Sequence, residues 1–193
     1  MIVVHQPAPP ASARTKPDPP QDLHVCPFTL AVDTREQAPW TFTDIAIGGK
    51  RWLVKRQVQT LATGDYSIVG CEDRIVIERK SPADFTATIS AGNARFRAEF
   101  ERMQEILHYG EGLGHFCCVI VEGCMATICD DLDDTTSGRR ITSDVVIGWC
   151  ASWPRRYGVP VFFAGDRRHA ELLAFRLLWK WWDEVGEGQQ GGA

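Results

Sequence analysis

Residues 63–84 read TGDYSIVGCEDRIVIERKSPAD. Tyr66-Ser67-Ile68-Val69 and Arg74-Ile75-Val76-Ile77 alternate and are rich in β-branched and aromatic residues. Between them, Gly70-Cys71-Glu72-Asp73 carries turn chemistry, so the stretch predicts a β-hairpin. A turn centred between Cys71 and Glu72 places Val69 opposite Arg74, Ser67 opposite Val76, and Asp65 opposite Glu78. Directly paired side chains share a face, with Cβ atoms roughly 5 Å apart. Lys80, two residues beyond Glu78, falls on that face as well. Tyr66, Ile68, Ile75 and Ile77 collect on the other face, an apolar surface able to seat the hairpin on a core.

Two carboxylates held this close repel unless a cation lies between them, and hard oxygen ligands suit Mg²⁺ or Mn²⁺. Such a cation polarises a phosphoryl oxygen and lowers the pKa of a bound water. An ammonium beside it orients or deprotonates that water, or offsets charge developing on the phosphorane. The pattern therefore points to metal-dependent phosphodiester hydrolysis, with Asp65, Glu78 and Lys80 as its centre. A surface strand with an ordinary Glu–Lys pair is the plainer alternative, but it leaves Gly64-Asp65-Tyr66 in hairpin register unexplained.

Gly64-Asp65-Tyr66, then Ile77-Glu78-Arg79-Lys80-Ser81, then Asp84, resembles the XPF family's nuclease signature GDx(n)ERKxxxD, a variant of the PD-(D/E)xK site. Val32-Asp33-Thr34-Arg35-Glu36 is similar to that family's VDxRE strand end, and Arg95-Phe96 to its GR(F/L) helix opening. The matches span about residues 28–163. Two departures occur: the family's Gly-Arg is Ala94-Arg95 here, and Glu99 stands where a Gln often follows.

The resemblance implies an α/β fold with a restriction-endonuclease-like core, a central mixed sheet flanked by helices. It implies a divalent-metal-dependent DNA endonuclease, acting on flap, fork or branched DNA in repair or recombination. Asp65, Glu78 and Asp33 are then the candidate metal ligands, with the backbone carbonyl of Arg79, and Lys80 joins them as a catalytic candidate. Glu36, Asp84 and Arg35 are supporting candidates. Eukaryotic and archaeal members add a helix-hairpin-helix pair after the nuclease domain. Thirty residues follow Phe163, room for one helix, so a standalone bacterial or phage type is expected.

With 193 residues, one domain with tails is expected. A 44% hydrophobic and 24% charged composition suits a soluble globular protein. The net charge of −4 excludes a broadly basic DNA-binding surface. A local patch at Lys55, Arg79, Arg95 and Arg97 is the expected DNA contact instead. Seven scattered cysteines without a CxxC, Cys117 and Cys118 adjacent in an apolar run, suit buried thiols in a reducing, cytoplasmic setting. Cys124, Cys129 and His115 are a weaker zinc alternative. No apolar run approaches a membrane span and no signal peptide is evident, so no membrane partner is expected.

Residues 1–24 form a proline-rich segment read as a disordered tail, 25–185 the nuclease domain, and 186–193 a flexible Gly/Gln tail. Strands are expected at Phe28–Asp33, Arg51–Val58, Phe116–Glu122 and Val159–Phe163. Helices are expected from Pro82 to about Ser90, over 94–109, from Thr142 to Tyr157, and from Asp166 to Asp183. Asp130, Asp131, Asp133 and Asp134 read as an acidic loop. Trp179, Trp181 and Trp182 mark either a homodimer helix or core, and a DNA-binding partner protein is the other possible associate. A catalytically silent DNA-binding or scaffolding module remains the competing function, although Asp33, Asp65, Glu78, Lys80 and Asp84 are all intact.

Overall fold

In a computed structural model, which describes residues 23–90, 93–109, 114–133 and 141–186, seven strands form one mixed sheet. They are β1 (Leu23–Asp33), β2 (Ile45–Ile47), β3 (Lys50–Gln59), β4 (Tyr66–Ile68), β5 (Ile75–Lys80), β6 (Phe116–Val121) and β7 (Val161–Phe163), in spatial order β2-β3-β1-β4-β5-β6-β7. The helices are α1 (Pro82–Ser90), α2 (Asn93–His108), α3 (Met125–Asp133), α4 (Ser143–Tyr157) and α5 (Arg167–Trp181). β1 pairs parallel with β3, and β5, β6 and β7 run parallel to one another. β4 lies antiparallel between β1 and β5. The carboxyl ends of β1, β5 and β6 therefore meet at one end of the sheet, where sites of open α/β sheets form.

Alternation along the strands divides the core into two layers. Leu30, Val32, Tyr66, Ile68, Ile75, Ile77 and Ile120 face α5, which answers with Ala170, Ala174, Phe175 and Leu178. Val76, Cys117, Val119 and Val121 face Phe85, Phe96, Phe100, Met103, Ile128, Val146 and Tyr157 of α1 to α4. The hairpin is thus buried on both sides. Its polar face lies under the α1–α2 layer, which is why Ser67 is buried and Glu78 only 7% exposed.

Four differences from the sequence reading have physical reasons. β1 begins at Leu23, so Leu23 and His24 belong to the sheet rather than to the tail; His24 packs on Trp52 of β3. β2 has three residues, too few for alternation to register. Asp130, Asp131 and Asp133 lie in α3, not a loop, because Ile128 and Leu132, one turn apart, anchor that helix to the core; Asp134 lies outside the described residues. Trp181 is 6% exposed, and the half-buried Trp179 and Trp182 pack on Phe28, so all three contribute to the core.

Candidate active site

β4 and β5 meet at Tyr66–Ile77, the register in which Asp65 stands opposite Glu78. The Asp65 N–H donates to the Ile77 carbonyl at 2.9 Å. Beyond this rung β4 has ended, and the Arg79 N–H donates instead to the Asp65 carboxylate, Oδ2, at 2.8 Å. That bond draws Asp65 toward the end of β5. Gly64 makes the approach possible. Its φ is +71°, and a Cβ there would stand 2.3 Å from Val76 Cγ1. Gly64→Ala combines left-handed strain with a clash, about 3 kcal/mol together. The expected drop in melting temperature is roughly 10 °C, measured by circular dichroism. A shift below about 2 °C would show that the turn relaxes around the methyl group.

Burial, followed by the Glu78 charge, pushes the Asp65 carboxyl up to about 8, although the Arg79 N–H pulls it down. Burial also raises Glu78; Lys80 opposes this, and Glu99 and Glu36 add to it. Lys80 forms an ion pair with Glu78, and its ammonium lies over the Phe96 ring, 5.2 Å from the centroid. Burial disfavours the Lys80 charge, but Glu78, with Asp65 and Glu99, holds it above its ordinary range. Lys80 is therefore a firmly protonated donor. Two desolvated carboxylates that favour protons over mutual repulsion form a donor set suited to a hard cation.

Asp33 is occupied otherwise. Its carboxylate accepts from Arg35 Nε at 2.9 Å, Arg35 Nη2 at 2.7 Å, the Arg35 N–H, and the Leu61 N–H at 3.0 Å. Burial pushes Asp33 up, but these bonds outweigh it and hold the carboxyl below the ordinary range. Arg35 also donates to the Leu61 carbonyl at 2.7 Å. Asp33 and Arg35 thus pin the loop that delivers Asp65, and the carboxylate expected as a metal ligand is engaged by Arg35 and Leu61 in this structure.

Arg79, expected as a DNA contact, is engaged within the protein. Its guanidinium is 9% exposed, bonds Glu122 through Nε and Nη2 (both 2.7 Å), and reaches Glu36 at 3.2 Å. Glu122 also accepts from Trp40 Nε1 and from Arg167. Glu36 therefore faces the site from behind, through charge rather than contact. Ser81 caps α1, its Oγ accepting from the Asp84 N–H at 3.1 Å, and Asp84 holds the cap by accepting from Ser81 Oγ at 2.6 Å.

Phe96 on Lys80 sets the start of α2 over the site, and Arg95 and Arg97 on either side of it are exposed. Lys55 is not brought to the site. It pairs with Thr29, four residues before the Asp33–Gln59 rung, or roughly 13 Å along the strand. Among the described residues, no three His, Cys, Asp or Glu side chains group as a metal site. Cys124, Cys129 and His115 therefore form none, and Asp65 and Glu78 would need backbone or solvent oxygens to complete a shell.

Two residues were missed. Glu122 ends the apolar run of β6, and a charge closing a fully buried strand was its signal. Glu99 accepts from the Gly64 N–H at 2.9 Å and pairs with Arg102. Its traces were its departure from the family's Gln and the helix stripe it shares with Arg95 and Arg102.

A mixed sheet flanked by helices, with an acid pair and a lysine where its strands converge, defines a restriction-endonuclease-like core. The ERCC4 domain model matches residues 32–175, and the chain belongs to that family, the XPF nuclease family. XPF from Aeropyrum pernix has a similar fold, with 20% identity and a TM-score of 0.55, over 82% of this chain and 63% of that one. XPF from Aeropyrum pernix in complex with DNA gives 21% identity and a TM-score of 0.53, over 79% and 64%. The chain thus spans less than two thirds of either solved protein. No curated protein matches. Among the described residues, no helix is long and apolar enough to cross a membrane.

Proposed function

We propose that this chain is a divalent-metal-dependent DNA endonuclease that cuts flap, fork or branched DNA, as repair or recombination requires. The observation that carries the reading is the convergence of Asp65 and Glu78 across the β4–β5 register, with Lys80 ion-paired to Glu78. Asp65 and Glu78, with the Arg79 carbonyl, would hold Mg²⁺ or Mn²⁺. When bound, the cation supplies Lewis acidity and a more acidic water.

The remaining work falls to the chain itself. Lys80, an ammonium between Glu78 and Phe96, donates hydrogen bonds to the attacking water or to the phosphoryl oxygen as its charge grows. Arg79 fixes Asp65 through its N–H and ties the site's floor to Glu122. Arg95 and Arg97, exposed at the opening of α2, are the candidate phosphate contacts. Incubating the protein with labelled flaps, forks, junctions and single strands in Mg²⁺, Mn²⁺ or EDTA tests the reading. Cuts that need metal and favour branched substrates support it. DNA binding without cleavage in either metal would identify a silent module.

The affinity should carry its own signature. With a net charge of −4 and a patch reduced to Arg95 and Arg97, with Lys55 remote, few phosphates are neutralised. The slope of log K against log salt is then expected at about −2 to −4, at about −0.9 per phosphate. Ca²⁺ should tighten binding relative to EDTA by screening the carboxylates. A slope near about −8, or equal affinities in the two buffers, would place the DNA on another surface.

A further inference from the structure

The loop that delivers Asp65 has no strand partner from Thr60 to Gly64, yet it is tied at Thr60, by its hydroxyl to that of Thr34 at 3.3 Å, at Leu61 and at Gly64. At Leu61 the ties are Asp33 and Arg35, described above. At Gly64 the tie comes from a different element: the N–H donates at 2.9 Å to Oε1 of Glu99 on α2, thirty-five residues away. That N–H belongs to the residue before Asp65, whose own N–H joins the Ile77 carbonyl. Glu99 is itself held. Its side chain is 15% exposed, and its other oxygen pairs with Arg102 one turn along the helix. Asp65 itself is held by its N–H on the Ile77 carbonyl, its carbonyl on the Asp33 N–H and its carboxylate on the Arg79 N–H. The Glu99 bond at Gly64, whose φ is +71°, therefore fixes the residue through which the loop enters this set.

We propose that Glu99 is a positioning residue for strand cleavage, acting by fixing the Gly64 peptide and with it the Asp65 carboxylate. The proposal rests on the nuclease reading above. A competing role is visible on the same face: the Glu99 charge also bears on Glu78, Lys80 and Arg35. A glutamine separates the two roles. Its Oε1 still accepts from the Gly64 N–H, whereas the charge is gone. An alanine removes both.

Three measurements on the full chain decide between them. In metal-free protein, the Gly64 amide should exchange with solvent at least about tenfold faster in Glu99→Ala, a loss of the kind a single hydrogen bond confers. It should return to near the wild-type rate in Glu99→Gln, while the β6 amides stay protected in both variants. Calorimetric Mn²⁺ binding should weaken in Glu99→Ala and recover in Glu99→Gln. In single-turnover cleavage, Glu99→Ala should lose roughly 10- to 100-fold in rate, since ångström misplacement of a reacting group costs on that order. DNA affinity should hold, and Glu99→Gln should regain most of the rate. Equal impairment of the two variants would assign Glu99 to charge or ligation and overturn the proposal, as would an unaltered Glu99→Ala. If the wild-type protein cuts no DNA, the nuclease reading fails instead, and amide exchange and Mn²⁺ binding still judge the Gly64 tie.

Discussion

Lys80→Ala should lower the single-turnover cleavage rate by roughly 100- to 1,000-fold, the usual cost of removing one donor aimed at developing charge, while DNA affinity measured in Ca²⁺ is largely retained. The reason lies in where the ammonium sits. It is 18% exposed, tied to Glu78 and lodged against Phe96, so it faces inward to the carboxylates rather than outward to the DNA backbone. Glu78, Asp65 and Glu99 keep it charged, which favours an electrostatic role over that of a general base. Parallel losses of affinity and rate would make Lys80 a phosphate anchor and remove it from the chemistry.

Asp65→Asn should abolish cleavage and at the same time stabilise the metal-free protein. The sign follows from linkage. An unfolded Asp titrates near 3.8 and the folded one near 8, so between these values the native state binds more protons than the unfolded state. Stability contributed by this group is then full below about pH 4 and is lost as pH rises toward 8. Asparagine can still accept from the Arg79 N–H, and it carries no charge to repel Glu78. In EDTA, the variant should melt a few degrees above wild type at pH 8, with the difference vanishing near pH 4. Added Mn²⁺ should raise the wild-type midpoint and leave the variant unmoved. A wild type that is more stable than the variant at pH 8 in EDTA would remove the claim of a strained acid pair.

Much of this was legible in the chain. The hairpin register followed from a short turn between two alternating β-branched strands, and the Tyr66–Ile77 rung is the one it requires. Most helices were marked by local signals, such as Ser81-Pro82 before α1. What escaped was the choice of partner. Asp33 and Arg79 have the right chemistry for a metal and for a phosphate, but Arg35 and Glu122 claim them first. Arg35 is two residues from Asp33, so that pair was within reach of the sequence. Glu122 lies forty-three residues from Arg79, and Glu99 thirty-five from Gly64; only the folded sheet brings these together.

One seam in the sheet has a consequence for how the molecule fails. β1 and β3 run together along most of their lengths, as do β5 and β6. β4, by contrast, meets β5 over a short stretch, the Tyr66–Ile77 pair flanked by the Asp65 N–H on the Ile77 carbonyl and Ser67 Oγ on the Ile75 carbonyl. Asp65 stands on one bank of this seam and Glu78 on the other. A slight widening of this short join displaces the carboxylates relative to each other while α5 and the α1–α2 layer still cover the sheet. Under mild denaturant or gentle heating, enzymatic competence should therefore fade while ellipticity is still intact. The chain is built to fall silent before it melts, so loss of turnover is an early gauge of its structural wear.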